Sequence, residues 1–250
     1  MRLGNCTLPD WPAPAGVHAL ITSRHGGVSE APFDSLNLAL HVGDRFDHVL
    51  QNRAILRSIL PADPCWLGQV KSMDVIDADA TDWQSRVAVA DAVVTGRPGV
   101  VCAVLSADEL PILLVSRDGL RLGAVQAGWR SICDGLLEKT LRALQVPVDE
   151  LLVYLGPAIG PQHFRVDVDV RERFILNSEE ADAAFTPRDD GAFNADIYLL
   201  ARQRLRASGV PENSIYGGRA CTFSEPERYF SKARDGATGR MASLIWRELV

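Results

Sequence analysis

Three short apolar runs between Val100 and Ser131 constrain the fold of this chain more than any other feature. The runs at 100–105, 111–115 and 122–125 are rich in β-branched residues and too short for helices, so they predict buried strands. The polar residues that follow the first and third runs are Ser106, Asp108, Glu109, Gln126, Trp129 and Arg130. Strands that stop at charged side chains favour a pocket at that edge of a sheet, with a solvated loop as the alternative.

Strands and helices are both predicted over the rest of the chain. Further strands are expected at residues 17–22, 65–70, 90–95, 151–155 and 242–246. Helices are expected at about 44–60, with Asp44 or Asp47 as the cap, from about 132 to 144, and at 195–207. Lys71 follows one of the predicted strands, a position where a lysine is usually only solvated.

The composition narrows the class of protein. The chain has 250 residues, of which 47% are hydrophobic, so one large domain over residues 1–250 is expected. The net charge of −6 supplies no basic stripe, which argues against a nucleic acid as a partner. Five widely spaced cysteines indicate reduced thiols and a cytoplasmic protein. No apolar run approaches 18 residues, and the N-terminus lacks the pattern of an export signal, so neither a membrane span nor export is expected.

Several other polar residues are candidates for binding a ligand. Arg24, Asn37 and His41 lie in a long polar segment with few helix signals, although Asn37 and His41 can equally bond loop backbone. Arg130 lies at a strand-to-helix junction, where free backbone amides favour an anion such as phosphate. Arg234 and Arg240 in the basic C-terminal loop can hold an anion or pair with surface carboxylates.

Two common hydrolase chemistries and copper oxidase chemistry find no support in the sequence. The chain has no GxSxG elbow for a serine nucleophile, and no cysteine at a polar strand end. Its five histidines include no His-x-His pair, whereas multicopper sites need many imidazole ligands.

A series of motifs runs along nearly the whole chain, from about Trp11 to Trp246: SRHGGVS, SLNLALHVGD, GQVKS, ADAVVT, LSADELPILL, AVQAGWRS, LGPAIGP and RDGATGRMASLIW. Together and in this order they resemble the laccase-domain family of purine nucleoside phosphorylases, historically labelled polyphenol oxidases. The resemblance implies a single α+β domain, a mixed β-sheet sandwich flanked by helices. It also implies cytoplasmic phosphorolysis of adenosine, inosine, guanosine and methylthioadenosine, together with adenosine deamination.

The metal ligands of that family are replaced in this chain. The family motifs normally read Gln-Val-His, Ala-Asp-Cys and His-Ala-Gly-Trp-Arg, and the resemblance implies that this His, Cys, His set binds a catalytic zinc ion. Lys71, Glu109 and Gln126 stand at those positions. Only Glu109 is a usual zinc ligand, so we expect no bound zinc, and we predict a Lys71–Glu109 ion pair with Gln126 hydrogen-bonded to it. Lys232 and Ala233 also stand where the family commonly carries Tyr and Arg.

Three interpretations follow from these substitutions. In the first, the chain is a nucleoside-processing enzyme with a metal-free centre, in which Glu109 is the general base, Lys71 the electrophile and Arg130 a phosphate ligand, with Asp108 beside them. In the second, it is a catalytically silent homologue that binds a nucleoside or a protein partner. In the third, the substitutions are engineered. The oligomeric state is left open, and a monomer is compatible with the sequence.

Overall fold

The structure is a computed structural model of the chain and describes residues 6–249. The strands are β1 (Cys6–Thr7), β2 (Val17–Thr22), β3 (Pro64–Cys65), β4 (Leu67–Gly68), β5 (Val75–Asp77), β6 (Ala88–Val89), β7 (Ala92–Thr95), β8 (Val101–Ser106), β9 (Leu110–Ser116), β10 (Leu122–Ala127), β11 (Leu151–Leu155), β12 (Arg165–Val166), β13 (Phe185–Pro187), β14 (Phe193–Ala195), β15 (Ile215–Gly217) and β16 (Met241–Arg247). The helices are α1 (Phe46–Arg57), α2 (Trp129–Asp134), α3 (Leu136–Leu144), α4 (Val168–Asn177), α5 (Ile197–Ala207) and α6 (Lys232–Asp235). Short 3₁₀ helices cover Val148–Glu150, Glu179–Ala184 and Glu212–Ser214.

Two mixed sheets form the centre of the molecule. One has the strand order β1-β2-β16-β8-β3 and the other has the order β15-β11-β9-β10-β7-β5. Within these two sheets, neighbouring strands are antiparallel except for β3 with β8, β15 with β11 and β5 with β7, which are parallel; β4 and β6 also pair in parallel. A smaller sheet of β12, β14 and β13 and a β4–β6 pair complete the strands.

The sheets pack face to face, and other elements cover their outer faces. Alternate residues of β8 point in opposite directions: Cys102 and Val104 face the core between the sheets, whereas Ala103 packs with α1 and the preceding loop. On β9, Leu113 faces the shared core and Ile112 packs with the helices α2 to α5. Because both faces of these strands are buried, they read as continuous apolar runs rather than as alternating ones.

The predicted fold class is therefore confirmed: the protein is an α+β structure in which helices flank a mixed-sheet sandwich. The three apolar runs that defined the prediction are β8, β9 and β10. No helix within residues 6–249 has the length and apolar character needed to cross a bilayer.

Local details differ from the predictions where tertiary contacts decide them. The expected single helix from 132 to 144 is two helices, α2 and α3, because Gly135 adopts a φ of 97° between them. The predicted strand at 65–70 is divided between β3 and β4. Neither Asp44 nor Asp47 caps α1, whose N-cap is Arg45 without a side-chain hydrogen bond. The last predicted helix begins at Ile197 and is capped by Asp196, whose side chain accepts from two backbone amides.

Candidate active site

A cavity of about 340 Å³ lies where β8 and β10 end and β9 begins. The connection 107–109 carries the chain from one sheet to the other, so its side chains lie at the open edge of the sandwich. The polar side chains of the cavity wall are Lys71, Asp108, Glu109, Arg130, Ser131 and Lys232. Apolar wall residues include Trp129, Ile159, Phe164 and Ile197. The predicted pocket at the strand ends is thus present.

Lys71 and Glu109 form the predicted ion pair. The Lys71 Nζ lies 3.0 Å from the Glu109 Oε1, with the lysine side chain 55% exposed and the glutamate 20% exposed. The other half of the prediction is wrong, because the Gln126 side chain makes no hydrogen bond to either residue in the described structure. Gln126 is buried on β10, where it lies opposite Pro111 of β9, and it does not line the cavity that holds the ion pair.

Asp91 positions the segment that carries Lys71, a role that the sequence did not reveal. Lys71 has a φ of 59°, a conformation that L-residues adopt only when their surroundings hold it. The next amide, Ser72 N–H, donates to the Asp91 Oδ2, and Asp91 is fully buried. The backbone carbonyl of Asp91 also accepts from Gln126 N–H at 2.8 Å. An aspartate directly before the apolar run of β7 was the available sequence signal.

Asp108 ties three segments of the cavity wall together. Its carboxylate accepts from the Thr222 hydroxyl at 2.6 Å and from Ala233 N–H at 2.7 Å. Its carbonyl accepts from Ile159 N–H at 3.0 Å. A φ of 93° lets the chain turn sharply between β8 and β9 at this residue. Both carboxylate oxygens are engaged within the protein, so Asp108 organises the wall, and its catalytic role stays a prediction.

Arg130 and Lys232 are two cations of the cavity wall. The Arg130 guanidinium lies 4.3 Å from the centre of the Trp129 ring, at the beginning of α2. Lys232 is the first residue of α6, whose N-cap Ser231 accepts from Arg234 N–H. Within residues 6–249, no carboxylate lies within 4 Å of either cation. Lys232 was noticed in the sequence only as a departure from the family, not as a site residue.

Arg24 and Arg234 use their guanidinium groups inside the protein. Arg24 donates to the carbonyls of Asp34 and Pro226, both at 3.0 Å. Arg234 donates to the carbonyls of Thr222 and Phe223, at 2.7 and 3.0 Å, and to Tyr229 and its own neighbour Asp235. Neither residue lines the cavity, so their predicted ligand contacts stay predictions and their observed role is to hold loops.

Asn37, His41 and Arg240 also lie outside the cavity wall. Asn37 is fully buried and its Oδ1 accepts from the amides of Ala39 and Arg240, both at 3.0 Å. Burial lowers the pKa of His41, and nearby arginines lower it further. Burial also lowers the pKa of Arg240, although the Glu109 and Asp108 carboxylates oppose that shift. Arg240 therefore contributes positive potential to the site, and binding roles for all three stay predictions.

Lys71, Glu109 and Gln126, which stand where the sequence resemblance implies a zinc ion, do not fit a catalytic zinc ion. Zinc needs three lone-pair donors such as imidazole, thiolate or carboxylate, together with an open position for water. Glu109 supplies one such donor, but it is paired with the Lys71 ammonium, and Gln126 offers only an amide. No group of three or more His, Cys, Asp or Glu side chains in the described part of the chain has the geometry of a metal site. No step of the chemistry below is therefore assigned to a metal.

The sequence is similar over nearly its full length to one protein family and to individual members of known name. Residues 18–248 match the family described as Multi-copper polyphenol oxidoreductase laccase. The chain is 51% identical over 239 residues to a purine nucleoside phosphorylase of Pseudomonas aeruginosa, covering 95% of this chain and 96% of that protein. It is 47% identical over 241 residues to a purine nucleoside phosphorylase of Escherichia coli, covering 96% and 97%.

Solved structures show the same fold. A Neisseria meningitidis protein superposes with a TM-score of 0.93 at 44% identity, covering 98% of this chain and 100% of that chain. A Geobacillus stearothermophilus protein superposes with a TM-score of 0.88 at 32% identity, covering 96% and 94%. The relationship thus extends over nearly the full length of the sequence and of the architecture.

Proposed function

The chain belongs to the multi-copper polyphenol oxidoreductase laccase family, and from that premise we propose that it cleaves purine nucleosides with inorganic phosphate at the cavity between β8 and β10. The support comes from the relatives that bear the name purine nucleoside phosphorylase and cover almost the whole chain. Adenosine, inosine, guanosine and methylthioadenosine are the proposed substrates, as the sequence resemblance implies.

The observation that carries the proposal is the composition of the cavity wall. The wall includes the apolar residues Trp129, Ile159 and Phe164, which suit contact with a purine ring. It also carries the Lys71–Glu109 pair and the cation Arg130. A volume of about 340 Å³ is at the lower end of the usual range for small-molecule sites. A neutral, flat base and a charged co-substrate can thus be held in one place.

The reaction needs a nucleophile, a stabilised sugar cation and a protonated leaving group. A phosphate oxygen forms a bond to the anomeric carbon of the ribose, while the bond from that carbon to the purine nitrogen breaks and its electron pair leaves on the base. Lys71 can donate a proton to the departing purine, and the proton of the hydrogen phosphate then restores the ammonium. The products are ribose 1-phosphate and the neutral base.

Glu109 and Arg130 supply the electrostatic part of this proposal. The Glu109 carboxylate stabilises the positive charge that develops on the ribose, and its contact with Lys71 keeps the ammonium oriented. Arg130 holds phosphate with its guanidinium donors, for which no carboxylate competes within 4 Å in the described structure. Because phosphate itself is the nucleophile, the step requires no activated water.

Adenosine deamination is a second reaction that we propose for the same site. It needs water as the nucleophile: the water oxygen bonds to C6 of the purine, and the bond from C6 to the amino nitrogen breaks. Glu109 is the wall residue that can accept the proton of the water and pass it to the departing amino group, which leaves as ammonia. The Glu109 carboxylate lies 3.0 Å from the Lys71 Nζ, so the same pair of residues faces the substrate in both reactions. Inosine formed from adenosine without phosphate is the product that would identify this activity.

The deciding experiment measures base release from each nucleoside with and without phosphate, in the presence of a metal chelator. The proposal expects free purine and ribose 1-phosphate that depend on phosphate and survive chelation. The triple variant Lys71→His, Glu109→Cys, Gln126→His, assayed with zinc added and with its metal content measured, is the comparison. Activity in the triple variant alone would refute the proposal and support a silent homologue that binds a nucleoside or a protein partner.

A further inference from the structure

We propose that Lys232 and Arg130 together form a phosphate subsite in the cavity, and that inorganic phosphate is its ligand. The inference rests on the proposed function, because phosphorolysis requires a bound phosphate. It goes further by assigning a role to Lys232, which comes from α6 on a different part of the wall from Arg130 on α2.

The use of lysine in this chain is the first argument. The sequence contains three lysines and 23 arginines, so cationic surface positions are almost always arginines. Two of the three lysines, Lys71 and Lys232, line the same cavity. The third, Lys139, lies on α3 and pairs with Asp74 at 3.4 Å. Lysine is thus concentrated at the candidate active site, where its compact ammonium suits a small anion.

The charge balance of the wall is the second argument. Glu109 is neutralised by Lys71 at 3.0 Å, and Asp108 uses its two oxygens on the Thr222 hydroxyl and Ala233 N–H. No ion pair within 4 Å joins Lys232 or Arg130 to a carboxylate in the described structure. With three cations and two carboxylates, the wall carries a net positive charge, which favours an anionic ligand.

The backbone around Lys232 is held rigidly, which is the third argument. Ala233 N–H donates to Asp108, and Arg234 N–H donates to the Ser231 hydroxyl. The Arg234 guanidinium binds the Thr222 carbonyl at 2.7 Å, so this turn is fixed to the neighbouring loop. A charge carried on a fixed backbone loses less freedom when a ligand binds than one on a mobile loop. The turn therefore presents the Lys232 ammonium to the cavity, although no contact within the protein uses it.

The test is a direct binding measurement with the full chain and no nucleoside. Inorganic phosphate is titrated calorimetrically, at low ionic strength, into the wild type and Lys232→Gln, Lys232→Arg and Lys139→Gln variants. Inosine and inosine monophosphate are titrated into the same four proteins. Lys139→Gln is the matched control, because it removes the same charge from outside the cavity.

The expected result is a phosphate Kd about tenfold higher in Lys232→Gln, as for loss of one charge-assisted hydrogen bond. Lys232→Arg should restore most of the affinity, Lys139→Gln should leave it unchanged, and inosine should bind all four proteins equally. The proposal is overturned if Lys232→Gln changes the phosphate Kd by less than about twofold. It is also overturned if Lys139→Gln raises the phosphate Kd as much as Lys232→Gln does. A third refuting result is that phosphate does not bind the wild type, while inosine monophosphate binds and loses affinity in Lys232→Gln.

The same variants separate this inference from the proposed function. If phosphate binds through Lys232 but no purine is released, the subsite stands and phosphorolysis is refuted. If purine is released and the phosphate KM is unchanged in Lys232→Gln, phosphorolysis stands and the subsite is refuted. If both proposals hold, Lys232→Gln raises the KM for phosphate and leaves the KM for inosine unchanged.

Discussion

Tyr198 offers a sharp test of how the cavity wall is supported. Its ring is buried on α5, and its hydroxyl accepts from Ala158 N–H at 2.7 Å and lies 2.8 Å from the Ala220 carbonyl, to which it donates. Burial raises the pKa of Tyr198, so the phenol stays neutral and can donate that bond. One hydroxyl therefore joins α5 to the turn after β11 and to the loop before α6.

Tyr198→Phe should cost about 2 to 3 kcal/mol of unfolding free energy. The ring remains, so the loss is not one of packing. The cost arises because the buried Ala158 N–H loses its partner, which contributes about 1 to 3 kcal/mol, and a carbonyl bond is lost as well. For a chain of this length the midpoint of thermal unfolding should fall by roughly 4 to 12 °C.

Calorimetry and urea denaturation of Tyr198→Phe measure this directly. Tyr216→Phe is the control, since the Tyr216 ring is only half-buried and its hydroxyl makes no hydrogen bond within residues 6–249. The control should change the midpoint by less than about 2 °C. A Tyr198→Phe midpoint within about 1 °C of the wild-type midpoint would refute the reasoning. It would mean that the Ala158 N–H finds a hydrogen-bond partner without the phenol.

Three further predictions follow from the contacts and pKa shifts. Lys71→Met should change the free energy of unfolding by less than about 1 kcal/mol, because the Lys71–Glu109 pair is half exposed. It should lower kcat about 100-fold if Lys71 donates a proton. Thermal melts measure the first effect and steady-state assays the second. The pKa of His41 is lowered in the folded state, so its stabilising effect is full above its unfolded pKa of about 6.5 and is lost as the pH falls below that value. His41→Gln should therefore flatten the dependence of unfolding free energy on pH between pH 7 and 5. An unchanged slope would contradict this. Burial raises the pKa of Cys65 to about 12 and that of Cys102 well above its usual value. Neither thiol should therefore react with a thiol reagent at pH 8 until the protein is unfolded. Modification of either residue in the native protein, located by mass spectrometry, would contradict this.

The sequence predicted the central strands and the position of the cavity, and the replacement of three metal ligands stays a prediction. Strand prediction succeeded because β8, β9 and β10 are covered on both faces, which makes their apolar runs visible without any knowledge of their partners. The Lys71–Glu109 pair was predicted because the family resemblance implies that both residues lie in one pocket, where opposite charges are expected to approach each other.

Only the tertiary structure decided what each polar side chain binds. Asp91 accepts from the amide of Ser72, 19 residues away, and Arg234 donates to backbone carbonyls of the preceding loop; neither partner follows from a local sequence pattern. Gln126 is buried on β10 and does not line the cavity that holds the ion pair. Lys232 enters the cavity because hydrogen bonds from neighbouring residues fix its turn. The pattern of apolar residues along the chain largely predicts which segments are buried. Hydrogen bonds and charge pairs depend on distances that folding alone establishes.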